Sequence, residues 1–268
     1  MTALPLRLRS AAVLGTASLA GLLMFGWPLL VRVGPGDGQV TPPFVFLALL
    51  PVLIVVVLAE LTEGGMDAKV LALLGVLTAI NAVMRGLSAG TAGVELVFFL
   101  LILGGRVFGA GFGFVLGCTS LFASALLTGG VGPWLPFQML ASAWVGMGAG
   151  LLPKRVRGGW EVALLVGYGV VAAYAFGIAM NLSSWPFLLG VDVPGHTGSL
   201  SFVPGASLAA NLHRFAVFTL LTSTGSWDTG RAITNSVLLV VLGPAVLTTL
   251  RRANRRATVL VGSAESTS

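Results

Sequence analysis

The chain has 268 residues, of which 56% are hydrophobic and only 9% carry a charge. Soluble domains carry about 25% charged residues, so this composition excludes a water-soluble globular domain and leaves lipid as the main solvent. The formal net charge of +6 comes from basic residues scattered between apolar blocks, a distribution that indicates membrane topology signals and no nucleic-acid partner.

The long apolar runs predict an all-α polytopic membrane protein with about eight spans, since one transmembrane helix needs about 20 apolar residues. The runs lie at 10–31, 43–60, 68–85, 94–105, 107–128, 137–152, 160–182 and 231–250. Arg7 and Arg9 precede the first run, but no small-residue cleavage site follows it, which predicts an uncleaved first span. A further run, 206–223, is interrupted by the polar stretch 211–214 and is predicted to be an outer, re-entrant or interfacial helix.

The distribution of basic residues predicts the orientation. With the N-terminus inside, eight spans place most of the 15 basic residues on the cytoplasmic side. A ninth span would move the arginine cluster at 251–256 outside and remove this bias. The positive-inside rule therefore predicts that both termini are cytoplasmic.

Small residues form a stripe on the third span, at spacings that place all of them on one helical face. They are Ala68, Ala72, Gly75, Ala79 and Ala82. In lipid, such a smooth face lets another helix approach closely, and the spacing alone leaves open whether that helix belongs to this chain or to a partner. A second series repeats every four residues in the fifth span and predicts packing inside this protein: Gly109, Gly113 and Gly117.

Unusual residues collect on the predicted outer side, in the segments 32–42, 86–93, 129–136 and 183–230. A concave ligand site needs apolar walls with a few polar anchors, and the candidate substrate-binding residues supply this mixture. They are Arg85, Glu95, Trp134, Gln138, Trp185, His196, Asn211, Trp227 and Asp228. Arg85 and Glu95 bracket the 86–93 loop, and we expect them to form an ion pair across it. Taken singly, the tryptophans are also typical of an interfacial aromatic belt.

The sequence lacks a phosphate-binding loop and a metal-binding motif. The only lysines, Lys69 and Lys154, do not complete a phosphate-binding loop, and the sequence offers no His/Cys spacing typical of a metal site. We therefore expect no catalytic residue, no metal and no cofactor. The alternative is a non-transport integral membrane protein, either a partner subunit or an intramembrane enzyme that uses Ser207 with a nearby histidine.

Four stretches of the chain carry a resemblance to a known family. They are TAINAVMR at 78–85, GGRVFGAGFGF at 104–114, GPWLPFQM at 132–139, and TSTGSWD at 222–228 followed by Arg231 and Asn235. From about 68 to 250 the chain resembles a substrate-binding S component of the energy-coupling factor (ECF) transporters, in an actinobacterial form with two extra N-terminal spans.

The resemblance implies two N-terminal helices at 1–67, a six-helix core at 68–250 and a basic, polar cytoplasmic tail at 251–268 in a bacterial plasma membrane protein. It also implies that a vitamin or related micronutrient is bound outside. The small-residue face would dock on an ECF T protein, which two ATPase subunits drive. The long connection 183–230 favours a bulky, cobalamin-type ligand, and riboflavin, other vitamins and their precursors remain alternatives.

Overall fold

The computed structural model describes residues 8–26, 29, 45–63, 66–88, 93–187, 193 and 197–265, and this part of the chain contains helices and no strand. The predicted all-α class is confirmed. The α-helices are α1 (Leu8–Phe25), α2 (Val45–Glu63), α3 (Ala68–Ser88), α4 (Val97–Phe108), α5 (Ala110–Thr128), α6 (Leu135–Leu151), α7 (Gly159–Ser184), α8 (Leu208–Thr219), α9 (Thr229–Val241) and α10 (Gly243–Glu265). A 3-10 turn, Trp185–Phe187, extends α7, and a π-helical segment, Leu220–Asp228, joins α8 to α9.

In the described part of the chain, each predicted span overlaps at least one helix, but fewer than eight helices qualify as spans. Within the described residues, α1, α3, α5 and α7 are long and apolar enough to cross a membrane. Helix α4 has only 12 residues. The predicted span 231–250 is divided by a bend of 66° between Leu208–Val241 and Gly243–Arg255, and these two parts could form a fifth span only together. Pro244 stands just after the bend, where its missing N–H breaks the continuous hydrogen-bond ladder.

Short connections join most helices of the bundle, so the helix ends collect at two opposite ends. We call the end with the described connections 93–96, 129–134 and 197–207 the upper end. The lower end carries the connections at 66–67, 109 and 152–158. The upper end holds the described parts of the predicted outer segments 86–93, 129–136 and 183–230, whereas segment 32–42 lies outside the described residues. The lower end holds the described connections that were predicted to be cytoplasmic.

Helices α4, α5 and α6 form the centre of the bundle, where all 12 residues of α4 are buried. A Cβ atom on either Gly113 or Gly146 would overlap the carbonyl oxygen of the other, and a Cβ on Gly117 would lie 2.5 Å from the backbone of Ala143. Only glycine permits such close contact between helix backbones. The predicted internal packing is therefore confirmed for Gly113 and Gly117. Gly109 has a φ of 107° and separates α4 from α5.

The N-terminal helices pack against the rest of the bundle. The Trp144 indole of α6 donates a hydrogen bond of 3.0 Å to the Ser18 hydroxyl of α1, and the Phe25 and Phe137 rings meet edge to face with centroids 5.0 Å apart. The predicted boundary after residue 67 falls just before α3, whereas the predicted boundary after residue 250 falls inside α10. The basic segment after 250 therefore continues a helix.

A buried ion network ties the lower end together. Arg106 Nε of α4 donates to Glu161 Oε1 at 2.7 Å, and its other nitrogens donate to the carbonyl oxygens of Leu152, Pro153 and Val156. Arg251 of α10 reaches the same Glu161 oxygen at 2.6 Å. Because buried charges are stable only when they are paired and hydrogen-bonded, this network fixes the 152–158 connection and the third turn of α10 to the bundle.

Candidate ligand-binding site

A cavity of about 340 Å³ opens at the upper end, between the ends of α3, α5, α6 and α7, the 93–95 segment and the π-helical segment. The candidate residues that line it are Arg85, Glu95, Trp134, Gln138 and Trp227. Residues not singled out as candidates complete its wall: Ser88, Gly93, Val94, Leu121, Thr128, Gly130, Phe176 and Arg231. The cavity combines apolar walls with convergent polar groups, the composition of small-molecule sites.

Arg231, in the first turn of α9, is the most heavily contacted charge in the cavity. Its Nε donates to the Glu95 carboxylate and its NH1 donates to Asp228 Oδ1 at 2.8 Å. The guanidinium carbon also lies 4.8 Å from the ring centroid of Phe176 and 5.5 Å from that of Phe98. Two carboxylates and two aromatic faces hold this side chain in one orientation.

Asp228 lies behind the cavity wall as the support of Arg231. It is fully buried, and its Oδ2 accepts a hydrogen bond of 2.8 Å from the Ser223 hydroxyl. Gly177 of α7 makes room for this carboxylate, because a Cβ at that position would overlap it. Asp228 therefore contributes through Arg231, and the supporting role of Gly177 has no recognisable signal in the sequence.

Arg85 binds neutral groups. Its NH1 donates to Ser124 Oγ and its NH2 donates to Gln138 Oε1, each at 3.0 Å. The predicted ion pair of Arg85 with Glu95 is wrong, because Glu95 forms its ion pair with Arg231. Asn235 of α9 also donates to the Glu95 carbonyl oxygen at 3.0 Å, which holds the segment before α4 against α9. A guanidinium has five N–H donors, so Arg85 keeps donors available to a ligand.

Two tryptophans stand at the rim of the cavity. Trp134 is 51% exposed and Trp227 is 45% exposed, which leaves an aromatic surface of each free for contact with a ligand. Trp134 stands directly before α6, after a turn in which Gly129 adopts a φ of 64°. A glycine in this left-handed conformation ends α5 and turns the chain toward α6.

Trp185 lies outside the cavity. It is fully buried between the rings of Phe202 and Phe215, at centroid distances of 5.5 and 5.4 Å. Its indole N–H donates to the Leu200 carbonyl oxygen at 2.8 Å. These contacts make Trp185 the centre of a second hydrophobic cluster, which organises the connection after α7.

Asn211 also belongs to this connection. Its side chain accepts a hydrogen bond from the Val203 N–H at 3.1 Å and donates to the Val203 carbonyl oxygen at 3.0 Å. Ser207 accepts a hydrogen bond from the Ala210 N–H and caps α8. His196 lies outside the described residues. The structure thus gives Asn211 and Ser207 positions that hold the backbone, away from the cavity.

The π-helical segment positions Trp227 and Asp228. It has nine residues and makes the chain continuous as a helix from Leu208 to Val241, whereas the sequence patterns predicted separate helices at 206–223 and 231–250. Long π-helical stretches are rare and frequently occur at functional sites. Here the segment delivers an aromatic rim residue and a buried carboxylate to the same cavity.

The small-residue stripe of α3 is exposed over most of its length. Ala68, Ala72, Gly75 and Ala79 are exposed, but Ala82 is only 1% exposed. A partner could therefore contact the first four residues, and Ala82 packs within this chain. Within the described residues, no group of three His, Cys, Asp or Glu side chains is placed to hold a metal ion.

Comparison with known proteins identifies the family. The family described as "ECF transporter, substrate-specific component" matches residues 69–223, which is more than half of the chain and includes most of the cavity wall. No curated protein and no solved structure matches the chain. Members of this family are transporter subunits that work with a T protein and ATPases. The chain is therefore a multi-pass membrane protein that belongs to the family of ECF transporter substrate-specific components.

Proposed function

We propose that the upper cavity captures a vitamin or a related micronutrient from outside the cell and that the chain delivers it inward. The observation that carries this proposal is the convergence of Arg85, Gln138, Glu95 and Arg231 with two rim tryptophans in one cavity. Binding would use preorganised groups, because Arg231 and Arg85 are already held by hydrogen bonds before a ligand arrives. Such preorganisation lowers the free-energy cost of binding.

The dimensions of the cavity favour a compact ligand. A volume of about 340 Å³ lies near the lower limit of small-molecule sites, about 300 to 1,000 Å³. The length of the connection 183–230 had favoured a bulky, cobalamin-type ligand. Part of this connection, however, packs around Trp185, away from the cavity. We therefore favour a flat heteroaromatic ligand, stacked at the tryptophan rim, with hydrogen-bonding groups directed at Arg85 and Gln138.

Delivery would require docking on a T protein. The exposed residues Ala68, Ala72, Gly75 and Ala79 offer a flat flank of α3 on which a partner helix can pack closely. ATP hydrolysis by two partner ATPases would drive the cycle. This arrangement separates the two tasks, because the docking flank faces outward from the bundle and the cavity lies at its upper end.

Ligand capture can be tested with tryptophan variants of the full chain purified without partners. Mass spectrometry first identifies the small molecule that co-purifies, and its Kd is then measured. We expect Trp134→Ala and Trp227→Ala each to weaken binding by about 5- to 150-fold, because the stacking of one base on an aromatic ring contributes about 1–3 kcal/mol.

The matched control is Trp160→Ala, since Trp160 is 79% exposed at the lower end and far from the cavity in the fold. This variant should bind the ligand with unchanged Kd. Unchanged binding in both rim variants would reject the cavity as the capture site. A preparation that carries and binds no vitamin-like molecule would favour the alternative of a non-transport membrane protein.

A further inference from the structure

The lower end of the bundle presents several exposed cationic side chains. We call this set the lower basic surface, and its members are Lys69, Lys154, Arg155, Arg157, Arg252 and Arg255. The nearby carboxylates serve the fold: Glu161 is buried between Arg106 and Arg251, and Asp67 accepts hydrogen bonds from the first N–H groups of α3. The surface therefore keeps its positive charge and attracts an anionic partner.

The position of helix α10 on the bundle follows from the residues that it buries. It leaves the direction of α9 at the 66° bend. One face buries Leu247 and Leu250 and is held to Glu161 through Arg251. Arg252 and Arg255 are exposed beside this buried face. Because the apolar residues of this stretch pack on the bundle, its exposed arginines remain accessible to a partner outside the bundle.

Neighbouring side chains indicate the depth of this surface in a bilayer. Trp160 is 79% exposed and follows Arg157 closely in the chain, and exposed tryptophans collect at the level of the lipid headgroups. Leu151 at the end of α6 and Val241 at the end of α9 are 62% and 67% exposed, as expected for side chains in contact with acyl chains. The cationic groups therefore lie where phospholipid headgroups begin.

We propose that the lower basic surface binds the headgroups of anionic phospholipids. The phosphate oxygens would accept hydrogen bonds from Arg252 and Arg255, and the acyl chains would pack beside Leu151 and Val241. Each arginine near an anionic membrane surface contributes about fivefold to binding. This lipid site is separate from the ligand cavity, and it does not depend on which micronutrient the chain carries.

The experiment compares lipids on the full-length protein in detergent. Native mass spectrometry measures the retention of phosphatidylglycerol and of phosphatidylcholine with the same acyl chains. We expect phosphatidylglycerol to be retained preferentially. Arg252→Gln and Arg255→Gln should each lower its affinity about fivefold, and the double variant about 25-fold, without changing phosphatidylcholine. The control Arg214→Gln removes a half-exposed arginine at the upper end and should change neither lipid.

Four outcomes would overturn the proposal. Equal retention of the two lipids would remove the charge preference. An Arg214→Gln effect as large as that of the α10 variants would show a general charge effect. Displacement of the lipid by glycerol phosphate at equal concentration would indicate a soluble-anion site. A double variant that keeps phosphatidylglycerol but loses assembly with a T protein would assign the surface to protein docking.

Discussion

Arg231 is the residue on which the organisation of the cavity depends. Its side chain is 10% exposed and pairs with Asp228, whose side chain is 1% exposed, and with the more accessible Glu95. Removal of one partner from a buried ion pair leaves an uncompensated charge, which costs more than replacement of the whole pair. The same network should therefore govern both the stability of the fold and the shape of the ligand site.

Arg231→Met should destabilise the protein by about 3–5 kcal/mol, because the buried Asp228 carboxylate loses its counter-charge. The double variant Arg231→Met with Asp228→Asn should recover most of this loss, since the remaining amide is neutral. Thermal unfolding of the full chain in detergent measures both effects. If the single variant were as stable as the parent, the buried network would not have the structural role assigned to it.

Arg85→Met provides the comparison at the other cationic residue of the cavity. Because the hydrogen bonds of Arg85 run to the neutral side chains of Ser124 and Gln138, its loss should cost less stability than that of Arg231. Ligand affinity should nevertheless fall. A variant with lowered stability and unchanged ligand affinity would assign Arg85 to the fold alone.

At the scale of the elements, α3 separates two surfaces. Leu74, Leu77 and Asn81 are buried toward the bundle, whereas Ala72 and Ala79 are exposed on the small-residue flank. The spacing of the small residues predicted a shared face but could not show where neighbouring elements cover it. The structure limits the accessible part to the stretch before Ala82.

Ala72→Trp and Ala79→Trp should each prevent assembly with a T protein, because a bulky ring removes the close helix approach that small residues allow. Ligand binding in detergent should be retained, since neither residue lines the cavity. Co-purification with the T protein measures the first effect, and the ligand Kd measures the second.

Ile80→Trp is the matched control, because Ile80 is 48% exposed on a neighbouring face of the same helix. Assembly should survive this change. Lost ligand binding with intact assembly in the Ala72 and Ala79 variants would contradict the proposed division of α3 into a docking flank and a packing face.

The π-helical segment explains why the predicted boundary between 206–223 and 231–250 is wrong. The polar stretch at 211–214 interrupts the apolar run 206–223, which suggested an outer, re-entrant or interfacial helix separate from the span 231–250. In the structure a shifted backbone hydrogen-bond pattern carries the helix through Leu220–Asp228 without a break. Apolar periodicity reports burial, and it does not report which carbonyl each N–H group selects.

For the whole molecule, orientation in the membrane is the central prediction, and the composition of the chain makes it testable. The single cysteine, Cys118, is fully buried, so it should react little with a membrane-impermeant thiol reagent. Val131→Cys introduces an exposed thiol at the upper end and Trp160→Cys introduces one at the lower end. Each variant therefore reports on one end of the bundle.

In intact cells, Val131→Cys should be labelled and Trp160→Cys should be protected until the cells are permeabilised. This result follows from the excess of basic residues at the lower end and the positive-inside rule. The reverse labelling pattern would place the cavity inside the cell and would reject capture from outside.

The sequence by itself determined the class of the molecule, the approximate positions of its helices and several of the residues that line the cavity. Apolar length and scarce charge are properties of the chain that lipid selects directly, so they can be read without a structure. Arg85, Trp134, Gln138 and Trp227 could be singled out because each stands near a predicted outer segment, and the structure places all four on one cavity.

Only the tertiary structure decided which of these groups meet. Glu95 pairs with Arg231, 136 residues away along the chain, and Trp185 enters an aromatic cluster of its own. Such pairings depend on which helix faces are opposed, and this follows from close backbone packing such as that of Gly113 on Gly146. Local spacing specifies the face of one helix, whereas the identity of its partner is a property of the assembled bundle.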